Sequence, residues 1–173
     1  MKKILIGALF VISAFYAHAQ VDEHSSIMKL MPQIGIPFGD VQKTNGIILG
    51  GHLQYEGQVS GKTRLLVQFG GGLLQGKTYD TGLGFEDDYP AIALMQLRGG
   101  AKFFMSEHFF VAGLAGATRA VVQGESSIGF SYAPVIGYEF FTGRYFDVNL
   151  RYDVSNFKNY NLKIATLSIG YHL

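Results

Sequence analysis

Apolar residues recur at every second position through most of this chain. In 145–154, "YFDVNLRYDV", Phe146, Val148, Leu150 and Tyr152 fall on one side. Asp147, Asn149, Arg151 and Asp153 fall on the other. A period of two is the geometry of a β-strand, because successive side chains leave opposite faces of the sheet. The chain end, "LKIATLSIGYHL", does the same: Ala165, Leu167, Ile169, Tyr171 and Leu173 oppose Thr166, Ser168, Gly170 and His172. In 46–56, Ile47, Leu49, Leu53 and Tyr55 oppose Gly50, His52, Gln54 and Glu56. In 63–75, Leu65, Val67, Phe69 and Leu73 oppose Arg64, Gln68, Gly70 and Gly72. Four more segments, 28–38, 91–104, 109–120 and 129–141, follow the rule with interruptions. Pro32 and Pro134 fall inside two of them and predict bulges, since proline cannot donate to a strand ladder. Connections at 57–62, 105–108 and 142–144 are short; those at 39–45, 76–90, 121–128 and 155–161 are mostly longer and more polar. Eight antiparallel strands with short turns at one end and longer loops at the other predict an all-β, up-and-down barrel.

Alternation leaves open which face is inside. A soluble lipocalin-type barrel buries its apolar face, whereas a membrane barrel turns it to lipid. Size separates the two. Eight strands enclose a space only just wide enough for interior side chains. The apolar face is bulky. The opposite face is assigned Gly35, Gly50, Gly70, Gly72, Gly100, Gly113, Ala115, Ala117, Ser131, Gly137, Ser168 and Gly170, with charged residues between them. Only that face fits inside, so the barrel is expected to be transmembrane. Aromatics agree with this. Tyr55, Phe103, Phe109, Phe110, Tyr138, Phe140, Phe141, Tyr145, Phe146 and Tyr171 gather near the short-turn end. Phe38, Tyr79, Phe130, Tyr132, Tyr152, Phe157 and Tyr160 gather near the loop end. Two bands of rings are what the two headgroup regions of a bilayer select.

The N-terminus carries an export signal. Lys2 and Lys3 precede the apolar run "ILIGALFVISA", and Ala17 and Ala19 occupy the small-residue positions of a cleavage site. Residues 1–19 are read as a signal peptide, 20–27 as a short N-terminal segment and 28–173 as the barrel domain. The chain has 14 Lys and Arg against 13 Asp and Glu. Loss of Lys2 and Lys3 leaves the two signs nearly equal, which does not suit a nucleic-acid partner. Cysteine is absent, which excludes a lipid-modified N-terminal Cys. The histidines, among them His24, His52, His108 and His172, show no metal-ligand spacing.

With its signal peptide, eight alternating segments and final strand "ATLSIGYHL", the chain resembles the small eight-stranded outer-membrane barrels of the OmpA and OmpX type. The resemblance covers 28–173, and "IGIPFGD" followed by "GGHLQYE" is similar to uncharacterised, porin-family-like barrels of this class. It implies a place in the outer membrane of a Gram-negative cell, contact with outer-membrane lipids including lipopolysaccharide, and delivery by the barrel-assembly machinery. In that family the last strand is the assembly signal and usually ends in an aromatic residue. Tyr171 fits this pattern; Leu173 stands where Phe is usual.

Three stretches suggest chemistry. "GGGLLQGKT" (70–78) spells a phosphate-binding loop from Gly71 through Gly76, Lys77 and Thr78. That motif needs a strand before it and a helix after it. The following "YDTGLGFEDDYPAI" is broken by glycines and Pro90 and reads as a loop. "DVSN" (153–156) is similar to the His–x–Ser–Asn motif of barrels that remove acyl chains from lipid A, with Asp153 in place of His. Aspartate is a poor base for a serine hydroxyl, so Ser155 and Asn156 are read as turn residues entering a loop. Glu86, Asp87 and Asp88 lie in the longest loop without a Ca²⁺-loop spacing and read as a solvated face. No cofactor, metal or enzymatic activity is expected.

The inward charges are expected to be Glu56, Arg64, Arg98, Lys102, Glu139, Asp147, Arg151 and Asp153, four of each sign. Glu56 and Arg64 flank one turn; Glu139 and Asp147 flank another and need a cation, for which Lys102 is the candidate. Two functions remain open: a plugged barrel with a structural or interaction role, and a narrow porin or small-ligand channel. In both, the long connections face outward and the termini face the periplasm. An epitope inserted at Gly84 is expected to be reached by antibody on intact cells, and one at Gly61 is not; the reverse labelling pattern would invert the topology.

Overall fold

The computed structural model describes residues 26–80, 86–142 and 144–173, without the side chains of 86 and 141–145. The expected signal peptide (1–19), most of the expected N-terminal segment and Gly84 lie outside the described residues. Eight strands form a closed barrel: β1 (Ser26–Phe38), β2 (Asn45–Ser60), β3 (Thr63–Gly76), β6 (Ile92–Phe104), β7 (Phe109–Val122), β8 (Glu125–Thr142), β9 (Arg144–Asn156) and β10 (Asn161–His172). Two short strands, β4 (Thr78–Asp80) and β5 (Glu86–Asp88), pair with each other in the longest connection. One helical turn, α1 (Val41–Thr44), lies between β1 and β2. All barrel pairs are antiparallel, and β1 closes onto β10. The expected up-and-down architecture is therefore the observed one.

Strand tilt follows from the register. From Lys29 the partners run Gln54, Gln68, Arg98, Gly116, Ser131, Ser155 and Leu162. The β10 register then returns to position 39 of the first strand's line, ten residues beyond the start. That stagger forces the strands to lean strongly across the barrel axis.

Three expectations need correction. No bulge forms at either proline. The β1–β10 and β8–β9 ladders lapse beside Pro32 and Pro134 but resume in the same register. The irregularities lie instead between Asn45 and Ile48 and between Gln58 and Ser60. The polar stretch 121–128 is no long loop: β7 and β8 run through it to a two-residue turn, Gln123–Gly124, with φ of 49° and 88°. Positive φ at both positions gives the turn whose twist matches a hairpin, and Gly124 adopts it without strain. Ser155 and Asn156 are the last residues of β9, not turn residues.

The faces separate as a membrane barrel requires. Leu53, Phe69, Leu97, Ile136, Leu150, Leu167 and Ile169 point out and are exposed. Tyr55, Phe103, Phe109, Tyr138 and Tyr171 form an exposed aromatic group near the turn end, where Tyr138 and Phe140 rings lie 4.8 Å apart. Phe110 and Phe157 do not belong to the bands, because both point inward and are buried. Strand β7 is also phased opposite to expectation. Gly113, Ala115 and Ala117 face outward, while Phe110, Leu114, Thr118 and Ala120 are buried. Apart from Arg119 near its end, its sequence, "FFVAGLAGATRAVV", is small or apolar on both faces, so alternation carries no phase there.

The interior is thus less uniformly small than expected. At the loop end, Ile48, Leu74, Leu94, Ala120, Phe157, Leu162 and Ile164 form an apolar tier, with Val41 of α1 against it. Toward the turn end, Leu66, Phe104, Phe110, Leu114, Ala133 and Val135 fill one side. Burial excludes water and strengthens the polar contacts between them. Neighbouring alanines report the phase directly. Ala115→Leu, on the lipid face, should unfold in urea within ~0.5 kcal/mol of wild type. Ala133→Leu, inside, should cost ~1–3 kcal/mol through overpacking; equal costs would contradict this phasing.

Candidate functional site

The interior charges fall into two layers. The first lies near the turn end and draws on six strands: Lys29 of β1, Glu56 of β2, Arg64 of β3, Lys102 of β6, Glu139 of β8 and Asp147 of β9. All but Arg64 are essentially inaccessible to solvent. Lys29 Nζ lies 3.0 Å from Glu56 Oε1 and 2.6 Å from both Glu139 Oε1 and Asp147 Oδ2. Lys102 Nζ lies 2.8 Å from Glu139 and 3.2 Å from Glu56. It also sits 3.8 Å from the centroid of the Phe110 ring, a cation–π contact. Arg64 Nη1 reaches Glu56 at 3.1 Å and Glu139 at 3.2 Å. Three cations therefore interlock with three carboxylates. Glycine makes the room: a Cβ at Gly170 would lie 2.7 Å from Asp147 Oδ2.

Lys29 is an added member of the layer, and Lys102, the cation expected near Glu139 and Asp147, pairs with Glu139 but not with Asp147. The cation between Glu139 and Asp147 is Lys29, while Lys102 joins Glu139 to Glu56. The signal was present in the alternation of Lys29 with the outward Met28 and Leu30. Met31, apolar yet inward and buried, broke the pattern of that strand. Glu139, Asp147 and His172 present ligand atoms within 4.8 Å of one another. Lys29 already bonds to both of those carboxylates, so a metal ion there would compete with an ammonium in place.

The second layer lies nearer the loops. Asp153 accepts from Arg98 Nη1 on one oxygen; on the other it accepts from Arg151 Nε at 2.9 Å and Thr166 Oγ1 at 2.6 Å. Arg151 also donates to Gln68 at 3.2 Å and to Gln33. Arg98 Nε donates to Ser131 at 3.2 Å. His52 and Gln96 meet at 2.8 Å across the side-chain-free Gly70. The structure thus brings all eight anticipated charges inside, in two groups. The glutamines and His52 were legible only as uncharged members of the inward face.

The three sequence motifs separate from this site. Gly71 belongs to β3, where a Cβ would lie 1.8 Å from the Leu94 carbonyl oxygen, so close strand approach accounts for it. The strand β4 follows Lys77, not a helix, and Lys77 Nζ donates to the Gln42 carbonyl at 2.6 Å. Asp153 and Ser155 point into the barrel and not toward lipid; Ser155 donates to Thr118 at 3.2 Å. In the loop hairpin Thr78 donates to Asp88 at 2.7 Å, and Tyr79 hydroxyl lies 3.3 Å from Asp87, whose charge pushes the tyrosine pKa up. These carboxylates serve the hairpin itself.

Comparison with solved structures gives the same architecture. The crystal structure of Ail, the attachment invasion locus protein of Yersinia pestis, matches with a TM-score of 0.55 at 14% identity, covering 86% of this chain and 97% of that one. Neisserial surface protein A matches with a TM-score of 0.60 at 13% identity, covering 86% and 96%. The fold is that of the small outer-membrane barrels. The N-terminal barrel domain of Pseudomonas aeruginosa OprF also matches, with a TM-score of 0.57 at 13% identity over 86% and 98%. No family model and no curated protein sequence matches the chain. The apolar belt of this closed barrel needs lipid around it, as a membrane-spanning barrel does.

Burial sets the energetic expectation. Removing one partner of a buried ion pair strands the other, at ~3–5 kcal/mol when fully desolvated. Lys102→Ala should lower the unfolding midpoint markedly, whereas Lys77→Ala, at the exposed loop end, should leave it within experimental scatter. Equal effects would show that the charged layer adds nothing to stability.

Proposed function

We propose that the protein is a non-enzymatic outer-membrane barrel, plugged by its own side chains, that acts through its surface and its loops. The observation that carries this reading is the interlocked layer of Lys29, Lys102 and Arg64 with Glu56, Glu139 and Asp147. It spans the lumen from β1 to β9, with an apolar tier near the loop end of the same interior. A cavity of about 10 Å³ lies beside Arg151, Lys102 and Asp147. That is room for roughly one water, not for a continuous aqueous path.

Against an acyl-releasing activity stands the inward placement of Asp153 and Ser155, away from any lipid substrate. What faces outward past the barrel rim is the hairpin of β4 and β5, where Tyr79 and Tyr89 rings meet at 4.5 Å beside Asp87 and Asp88. Such an exposed aromatic and acidic surface suits recognition of a protein or glycan partner. Outer-membrane lipids, including lipopolysaccharide, are the proposed surroundings of the belt. The proposed signal for the assembly machinery is β10, just beyond which Leu173 N donates to the Met28 carbonyl at 2.9 Å.

The runner-up function is a narrow porin, and conductance separates the two. Purified protein that fractionates with the outer membrane and resists carbonate extraction should give no steady, large conductance in a planar bilayer. Stable nanosiemens-scale channels would reject the plug in favour of the porin.

A further inference from the structure

The two charged layers differ in balance. The turn-end layer holds three cations and three carboxylates. The mid-lumen layer holds two guanidinium groups, Arg98 and Arg151, and one carboxylate, Asp153. Both oxygens of Asp153 are already engaged. Arg151 spends its remaining donors on the neutral oxygens of Gln68 and Gln33. Arg98 uses Nε on Ser131 and Nη1 on Asp153, and its Nη2 has no partner among the described residues. Its side chain is 0% exposed. One positive charge without a counter-charge and one donor without an acceptor therefore belong to the same buried layer.

We propose that this layer binds a small monovalent anion at the Arg98 guanidinium. A buried net charge is costly unless compensated, and an unmet buried donor adds its own desolvation penalty. Water would satisfy the donor and leave the charge. A monovalent anion satisfies both and brings the layer to neutrality. A divalent anion would reverse the imbalance. His52 Nδ1, also without a partner among the described residues, is a different case. When Nε2 carries the proton toward Gln96 Oε1, Nδ1 is an acceptor, which a water fills and an anion does not. The inference concerns charge balance inside the plug and stands whatever the loops recognise.

The test refolds the full mature chain into detergent micelles at constant ionic strength, with gluconate replaced stepwise by chloride. The thermal midpoint is read from heat-modifiable gel mobility. Wild type should gain ~3 °C or more as chloride rises well above its dissociation constant. Gln33→Glu is nearly isosteric and supplies Arg151 with a carboxylate. It should raise the chloride-free midpoint and abolish the chloride dependence. Arg98→Gln should abolish the dependence as well, and Lys62→Gln, at an exposed turn, should keep it. Anomalous maps from crystals grown in bromide should show a peak beside Arg98 Nη2, and this decides the matter even where a variant does not fold. A wild-type midpoint indifferent to chloride, a full chloride response in Gln33→Glu, or bromide maps with no peak at Arg98 would each overturn the proposal.

Discussion

Closing a sheet into a barrel brings its first strand against its last, and here one ammonium group ties that seam to the far wall. Lys29 lies on β1, the strand that closes onto β10. Its Nζ contacts carboxylates from β2, β8 and β9. Without that cation, Asp147 would lie beside Glu139 in a low-dielectric interior without the ion pair that Lys29 gives it. Lys102 from β6 and Arg64 from β3 then bind two of those carboxylates, Glu56 and Glu139, so that the layer locks strands that are not neighbours in the sheet. The hydrogen-bonded ladders hold each strand to the next; the ion layer holds the barrel across its diameter.

The remaining architecture follows from that division. Because lipid accepts the bulky residues outside, the interior needs only enough volume to fill a narrow tube. Glycines and serines leave space for long charged side chains, and the apolar tiers of Ile48, Leu74 and Leu162 above and Leu66, Phe104 and Phe110 below keep water scarce around them. A dry surrounding strengthens each ion pair and raises the penalty for any charge left unpaired. The same logic makes the single excess guanidinium of the upper layer conspicuous.

The barrel was legible because two-residue alternation reports strand, face and environment together. Where both faces carry similar residues the signal vanished, as in β7, whose Gly113, Ala115 and Ala117 were placed inside and lie outside. Strand ends were underestimated at 121–128, since polar residues beyond the bilayer can extend a hairpin without alternating. The charged residues of the interior were recognisable on β2, β3 and β9, where polar and apolar positions alternate cleanly, and on β6 and β8 despite interruptions. Lys29 escaped because Met31 and Pro32 obscured the pattern of β1. Pairing partners were less accessible than positions, because a tilt of ten residues around the barrel sets which inward side chains share a depth.

The central claim is that Lys29 and the carboxylates it joins act as one unit. A double-mutant cycle on Lys29→Met and Asp147→Asn, measured by reversible urea unfolding in lipid, tests it most directly. Each single change should be strongly destabilising, and the double mutant should lose clearly less than their sum. The coupling should lie at the upper end of the ~0.5–3 kcal/mol seen for contacting groups. Additivity within ~0.5 kcal/mol would contradict it, since that is the behaviour of independent sites.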